Sequence, residues 1–197
     1  MPVSEPQCVV EYHPGVLSPE ESEELFRDLC QNYNVSNRKV LMADGTEFEV
    51  ETGTYLFADK ELTSYDVFPK VWGERQAWSP LMKMLKDRVE SISKRQFQVC
   101  RIVYYENGAA GMDFHSDPSA YGDNTWISSV SLGEEREFLL RNKENHDDVH
   151  SYILEGGSLI IMGERCQDRY EHAVPRDPKY KKPRINLTFR RYGFDSK

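Results

Sequence analysis

Short strand patterns separated by turn residues fill the second half of the sequence. The predicted strands cover residues 97–105, 126–133, 137–141, 149–154, 158–162 and 185–191. The second and third of them follow each other closely enough to predict a hairpin. Many short strands with turns between them favour a closed or sandwiched β core of the jelly-roll type.

Two helices are predicted ahead of these strands. Ser18 is a good N-cap, Pro19 suits the first helical position, and Glu21 stands three residues after the cap. Ser79 and Pro80 open a second helix in the same way. Apolar residues recur at three- and four-residue intervals in both segments, so each helix is expected to bury one face. The sequence therefore predicts an α+β fold with a mainly β core, a double-stranded β-helix with the N-terminal helices packed outside.

A chain of 197 residues can form one well-buried core, and this one has no Pro/Gly/Ser-rich linker between two halves. We expect a single domain over residues 1–197. Its residues 1–95 would contribute the helices and a substrate-recognition segment, and residues 96–192 the jelly-roll core. The longest apolar runs are too short to cross a bilayer, so the sequence predicts no membrane association.

The compartment is predicted from the cysteines and the N-terminus. Four cysteines are scattered without a paired or metal-type spacing, and the first residues lack the basic start and apolar core of a secretory signal. Reduced thiols in an intracellular protein, cytoplasmic or nuclear, are the expected state. We expect a monomer.

Three residues have the spacing of a metal site. If residues 112–117 continue the strand that begins near Phe97, His115 and Asp117 project from the same face. His172, fifty-five residues after Asp117, completes a set of two histidines and one carboxylate, which leaves one face of a non-haem Fe(II) open. A His-x-Asp alone is weak evidence, because Asp117 could simply accept backbone hydrogen bonds in a turn. The downstream His172 and Arg-rich closing strand favour iron.

A positively charged side chain follows these three residues. Arg190 has a planar guanidinium suited to binding a carboxylate through two parallel hydrogen bonds, which indicates an organic acid as co-substrate. Arg184, Asn186, Thr188 and Arg190 would all face one side of their strand. The alternative for Arg184 is an ion pair that steadies the barrel.

Many aromatic residues lie between residues 38 and 73. In one interpretation they are short peripheral strands that bury their rings in a core. In the other they form a clamp, because an enzyme that acts on a base holds it unstacked between aromatic faces. Tyr55 and Phe57, which share a strand face, are then the candidate substrate contacts.

The net charge of −8 does not suit a phosphate-binding surface. However, residues 165–197 contain ten Lys and Arg against four Asp and Glu, a net charge of +6 beside the proposed metal site. The alternative for this segment is a solvated loop.

Five segments together resemble the AlkB family of Fe(II)- and 2-oxoglutarate-dependent dioxygenases, in particular the members that repair alkylated single-stranded nucleic acid. These segments are Asp113-Phe114-His115-Ser116-Asp117, Ser129–Gly133, Gly157–Met162, His172-Ala173-Val174-Pro175 and Arg184-Ile185-Asn186-Leu187-Thr188-Phe189-Arg190. The last is the most specific of them.

The resemblance implies roles for these residues. His115, Asp117 and His172 would hold Fe(II), and Arg190 would bind the distal carboxylate of 2-oxoglutarate. Tyr105, Arg184 and Asn186 match further positions of the family motif, which implies that they also contact 2-oxoglutarate.

The implied reaction is oxidative demethylation of bases such as 1-methyladenine or 3-methylcytosine in single-stranded DNA or RNA. It consumes 2-oxoglutarate and O2 and releases formaldehyde, succinate and CO2. Arg141 and Lys143 are candidate phosphate or base contacts, with exposed hairpin charges as the alternative. A dioxygenase of the same fold acting on a protein, lipid or small molecule is the second hypothesis, and a binding module without turnover is the third.

Two departures from the family pattern bear on these roles. Val103 replaces an asparagine that usually stands two residues before the tyrosine, which removes an amide donor from the 2-oxoglutarate site. Pro118 and Ser119 stand where a further acidic residue usually contacts the exocyclic amine of the base. The second departure affects the recognition of the substrate more than the reaction chemistry.

Overall fold

The protein is described by a computed structural model, which covers residues 5–42, 44–68 and 72–194. Its helices are α1 (Pro19–Asn32), α2 (Pro80–Ser93) and the short α3 (Cys166–Arg169). Its strands are β1 (Val10–His13), β2 (Lys39–Leu41), β3 (Glu47–Glu49), β4 (Gly53–Ala58), β5 (Glu74–Ala77), β6 (Val99–Tyr105), β7 (Met112–His115), β8 (Ile127–Gly133), β9 (Arg136–Asn142), β10 (Val149–Leu154), β11 (Leu159–Met162), β12 (Tyr170–Val174) and β13 (Arg184–Arg190).

Two sheets make up the β core. The larger has the order β1-β11-β8-β13-β6-β4-β5, and the smaller has the order β10-β9-β12-β7. Side chains of both sheets pack together in one apolar cluster, which includes Val103 and Ile160 from the larger sheet and Phe138 and Leu140 from the smaller. This arrangement confirms the predicted jelly-roll fold. β2 and β3 form a separate peripheral hairpin, but its aromatic residue Phe48 is exposed and is not buried in a core.

The two long helices cover the outer face of the larger sheet. Leu25 and Leu29 of α1 and Leu85 and Val89 of α2 share a buried cluster with alternate residues of the sheet. On β13 these are Ile185, Leu187 and Phe189. The intervening residues of β13 therefore face the space between the two sheets, because side chains alternate along a strand.

The helix starts are as predicted. The Ser18 hydroxyl accepts a hydrogen bond from the Glu21 backbone N–H, and the Glu21 carboxylate accepts one from the Ser18 N–H. The Ser79 hydroxyl caps α2 by accepting from the Met82 N–H. Such caps satisfy backbone donors that have no partner inside the helix, typically worth about 1 kcal/mol each.

The predicted hairpin of residues 126–141 is wrong. β8 pairs with β11 and β13 in the larger sheet, whereas β9 pairs with β10 and β12 in the smaller. The chain leaves β8 at Gly133, whose φ of +80° favours glycine, and a side chain there would also collide with the Pro183 carbonyl. The short connection thus carries the chain from one sheet to the other.

The expected continuous strand from residue 97 to residue 117 is likewise divided. β6 ends at Tyr105 in the larger sheet, and β7 begins at Met112 in the smaller. This division places the two strands on opposite walls of the same cavity.

In the part of the chain that the structure describes, no helix is both long and apolar enough to span a bilayer.

Candidate metal centre

The structure brings His115, Asp117 and His172 together. β7 and β12 are antiparallel neighbours, and His115 lies directly opposite His172 in their register. Asp117 follows two residues after His115, where the chain leaves β7. One ligand atom from each of the three side chains lies within 4.8 Å of the others, and His115 Nε2 is 3.7 Å from Asp117 Oδ1. Two imidazoles and one carboxylate at this spacing suit a divalent transition metal with open coordination positions.

Neighbouring groups hold the first histidine and the aspartate in place. His115 Nδ1 donates to the Asp113 carbonyl oxygen at 2.8 Å, which leaves its Nε2 as the nitrogen facing Asp117. The Asp117 backbone N–H donates to Gln167 Oε1 at 2.8 Å. Such supporting contacts fix the ligand orientation that a metal requires.

The protonation states also suit a metal. Burial lowers the pKa of His172 to about 4, so its imidazole is neutral at pH 7. Burial alone would raise the pKa of Asp117, but the nearby His115 and His172 imidazoles and the charge of Arg190 outweigh it, so this pKa lies well below its ordinary value. A neutral imidazole and an ionised carboxylate are the forms that bind metals.

Arg190 lies beside the metal ligands. Its Nη1 is 3.4 Å from Asp117 Oδ2, and its Nη2 donates to the Pro118 carbonyl oxygen at 2.6 Å. Only 3% of the residue is exposed, and its Nε has no hydrogen-bond partner among the described residues. Arg190 is therefore largely occupied in holding the segment that carries Asp117.

Arg184 lies six residues before Arg190, on the same face of β13. It is 1% exposed, and its Nη2 donates to Ser131 Oγ and to Asn186 Oδ1. Its Nε and Nη1 are buried without a partner in the described part of the chain. The guanidinium carbon is 5.3 Å from the centre of the Tyr105 ring. Burying a guanidinium with two unpaired nitrogens costs folding free energy unless an anion binds it. Arg184 and Tyr105 therefore fit a carboxylate ligand.

One cavity of about 140 Å³ connects these groups. Its polar wall contains the metal ligands and the inner face of β13, and its apolar wall contains Val103, Met112, Phe138, Leu154, Met162 and Val174. The volume is below the roughly 300–1,000 Å³ typical of drug-sized ligand sites. It suits a small organic acid at the metal rather than a large molecule.

The sequence matches the family model for the 2OG-Fe(II) oxygenase superfamily over residues 9–190. The chain belongs to this superfamily. Membership implies Fe(II) as the metal and 2-oxoglutarate and O2 as co-substrates. The three converging ligands and the buried arginine with unused donors are consistent with that set.

Curated proteins similar to this chain include AlkB-type members of the oxygenase superfamily. The chain is 28% identical over 192 residues to the alpha-ketoglutarate-dependent dioxygenase alkB homolog 3 of Bos taurus, covering 90% of this chain and 64% of that protein. It is 25% identical over 181 residues to the DNA oxidative demethylase ALKBH2 of Mus musculus, covering 87% and 75%. The chain thus spans just under two thirds of the length of the alkB homolog 3 relative. These matches confirm the resemblance to the AlkB family.

A solved structure, that of OsALKBH1, has a similar fold. The TM-score is 0.68 at 16% sequence identity, over 95% of this chain and 100% of that chain. At this identity the likeness concerns the fold alone.

Tyr55 and Phe57, which were expected to form a base clamp, lie away from the cavity. Tyr55 is 6% exposed and Phe57 fully buried, and both lie in the cluster between the larger sheet and the two long helices. Their rings contact each other and Tyr33. The two side chains lie on the same face of β4, as predicted. That face is the outer face of the larger sheet, so neither ring lines the cavity.

Phe57→Ala is therefore expected to destabilise the fold by about 3–5 kcal/mol, the usual cost of emptying a buried aromatic site. Phe48→Ala is the matched control, because Phe48 is 46% exposed and its loss should change stability by less than about 0.5 kcal/mol. Chemical denaturation measures both. Unchanged stability of Phe57→Ala together with weaker substrate binding would restore the clamp.

The predicted substrate contacts Arg141 and Lys143 are already engaged within the protein. Arg141 Nη2 and Nε donate to Glu171 Oε1 at 2.6 and 2.9 Å, and its guanidinium carbon lies 3.6 Å from the centre of the Phe114 ring. Lys143 Nζ donates to the Gln167 carbonyl oxygen at 2.7 Å. Arg141 thus connects Phe114, the neighbour of His115, with Glu171, the neighbour of His172. These contacts support the positions of the two histidines.

Four of the ten basic residues of the C-terminal segment are buried or paired within the protein. Arg184 and Arg190 are buried in the cavity wall. Arg176 is bound by Glu51 and Asp113, and Lys179 by Asp177. The positive charges of these four residues are thus either buried in the cavity wall or paired with a carboxylate.

Sequence reasoning did not identify Arg101 or Arg136. Arg136 is 1% exposed and donates to the carbonyl oxygens of Ala110 and Pro175, which joins the loops before β7 and after β12. Arg101 lines the cavity from β6. Its position could have been predicted, because it alternates with Val103 and Tyr105 on one face of that strand.

Proposed function

We propose that this chain is an Fe(II)- and 2-oxoglutarate-dependent dioxygenase that removes methyl groups from ring nitrogens of bases in single-stranded DNA or RNA. The observation that carries the proposal is the convergence of three metal ligands and two buried arginines on one small cavity. The named activity of the ALKBH2 relative, DNA oxidative demethylation, supports the choice of substrate.

His115 Nε2, the Asp117 carboxylate and His172 would hold Fe(II). Bound Fe(II) would couple the oxidative decarboxylation of 2-oxoglutarate to hydroxylation of the methyl group, which then leaves as formaldehyde. The protein contributes by positioning the reactants and excluding water. The apolar wall of the cavity serves the second purpose.

The geometry supports a different carboxylate assignment from the one made from the sequence. Arg190, expected at the distal carboxylate of 2-oxoglutarate, is bound to Asp117 and Pro118. Arg184 lies at the opposite end of β13 and has two unused nitrogens. We therefore assign the distal carboxylate to Arg184, assisted by Tyr105. Burial raises the pKa of Tyr105, so its phenol stays protonated and can donate.

Asn186 orders the floor of the site. Its Nδ2 donates to Thr188 Oγ1 at 2.7 Å and to Ser129 Oγ at 3.1 Å, while its Oδ1 accepts from Arg184. These contacts set the direction of the Arg184 guanidinium before any ligand binds. A preorganised donor lowers the cost of binding the co-substrate.

A mass-based demethylation assay tests the function. With Fe(II), ascorbate and 2-oxoglutarate, a single-stranded oligonucleotide with one N-methylated base is expected to lose the mass of one CH2 group. The panel holds 1-methyladenine, 3-methylcytosine, 1-methylguanine and 3-methylthymine or 3-methyluracil, each in DNA and RNA. The metal-ligand variant His115→Ala serves as the inactive control.

Unchanged masses across the whole panel would reject the function. Turnover of 2-oxoglutarate without any nucleic-acid product would then favour a dioxygenase of the same fold acting on a protein, lipid or small molecule. Binding that does not weaken as salt increases would point the same way, because phosphate contacts release counterions.

A further inference from the structure

Arg101 occupies a distinctive position on the inner face of the larger sheet. In the strand register it lies opposite Thr188 of β13 on one side and Leu56 of β4 on the other. Adjacent strands are about 4.8 Å apart, and Thr188 is two residues from Arg190, which contacts Asp117. Arg101 therefore lines the cavity close to the metal centre and on its solvent-exposed side.

The Arg101 guanidinium is not used to bind another group in the described part of the protein. Across the described residues, no hydrogen bond, ion pair or ring contact engages it. Every other arginine of the cavity is bound to a protein group: Arg184 to Ser131 and Asn186, and Arg190 to Pro118 and Asp117. Burial lowers the pKa of Arg190, and the nearby positive charge of Arg101 adds to that lowering.

Outside the metal centre, the described residues that line the cavity provide no carboxylate to bind a positively charged base. Asp117 is the only acidic residue among those lining it in the described part of the chain, and it belongs to the metal centre. The acidic residues beside the ligands are committed elsewhere. Asp113 is bound to Arg176 at 2.7 Å and Glu171 to Arg141 at 2.6 Å. The chain continues from Asp117 into Pro118 and Ser119, neither of them charged.

N-methylated bases fall into two chemical classes. 1-Methyladenine and 3-methylcytosine carry a positive charge, and they have an amino donor at C6 of the purine or C4 of the pyrimidine, beside the methylated nitrogen. 1-Methylguanine and 3-methylthymine are neutral, and they have a carbonyl oxygen at the same ring position. A guanidinium has donors and no acceptor. It therefore binds the carbonyl of the second class and opposes both the charge and the amino group of the first.

We propose that Arg101 is a specificity-determining residue that selects neutral N-methylated bases with a carbonyl oxygen next to the methylated nitrogen, over cationic methylated bases. This inference rests on the proposed function and narrows its substrate class. The methyl group would face the metal centre while the adjacent carbonyl accepts from the guanidinium at the cavity opening.

Binding and turnover of four single-stranded oligonucleotides test the inference. Each carries one 1-methylguanine, 3-methylthymine, 1-methyladenine or 3-methylcytosine. Affinity is measured by fluorescence anisotropy without oxygen, in the presence of Fe(II) and 2-oxoglutarate, and kcat/KM by mass. The native protein is expected to favour the two neutral bases by about tenfold or more, the usual value of a hydrogen bond to a charged group.

Two variants and a control separate the cause. Arg101→Leu is expected to remove the preference and Arg101→Glu to reverse it in favour of the cationic bases. Because Arg101 is exposed, both variants should fold, which thermal unfolding verifies. Arg95→Leu removes an arginine stacked on Trp126, away from the cavity, and should leave the preference unchanged.

Each other outcome has a definite meaning. Equal or better binding of the cationic bases, or an unchanged preference in Arg101→Glu, would overturn the inference and leave the proposed function standing. Absence of binding and demethylation for all four oligonucleotides would overturn the proposed function and the inference with it.

Discussion

His115→Ala is expected to lower 2-oxoglutarate turnover by more than about 100-fold, because it removes one of the three proposed metal ligands. Loss of a mere supporting contact at a metal site already costs about 10–100-fold. The fold should persist, since the His115 side chain is 34% exposed and lies at the end of β7. Succinate formation, metal content and thermal unfolding are the three measurements.

His146→Ala is the matched control. His146 is 62% exposed and contacts only Glu171 at 3.8 Å, outside the group of three ligands. It should retain metal and turnover. If His115→Ala kept the metal content and the succinate rate of the native protein, the metal would have to be bound elsewhere.

Arg184→Lys is expected to raise the KM for 2-oxoglutarate by about 100-fold with a smaller effect on kcat. Lysine keeps the charge but cannot form the two parallel hydrogen bonds of a guanidinium. Arg190→Lys is the comparison, because Arg190 contacts the metal ligand Asp117. It should lower metal affinity and kcat more than it raises this KM.

Steady-state kinetics with varied 2-oxoglutarate, together with metal titration of both variants, separate the two arginines. A larger rise in KM for Arg190→Lys than for Arg184→Lys would return the distal carboxylate to Arg190, as the sequence first indicated. Thermal unfolding of Arg184→Lys controls for damage to the core, since the native side chain is fully buried.

The helix caps and the proximity of His115 to Asp117 could be predicted because they depend on local rules. Ser18 and Ser79 cap their helices through side chains that reach only three residues onward. His115 and Asp117 are two residues apart, and the Arg184 to Arg190 series alternates on one strand. In each case residue type and spacing contain most of the information.

The failed predictions concern which surface a strand presents and which strand it joins. Spacing two puts Tyr55 and Phe57 on one face, but the helices that cover that face come from distant parts of the chain. β8 and β9 are neighbours in sequence, yet Gly133 sends them to different sheets. Proximity in space can also escape any spacing rule: Cys8 and Cys166 are 158 residues apart, with their Sγ atoms 3.0 Å from each other.

The most direct test of the metal centre is a crystal structure of the protein grown without oxygen in Mn(II) and 2-oxoglutarate, with the metal located by anomalous scattering. The account predicts a single strong peak bound by His115 Nε2, the Asp117 carboxylate and His172, with the far carboxylate of 2-oxoglutarate against Arg184. A peak away from these three side chains, or 2-oxoglutarate bound outside the cavity, would contradict it.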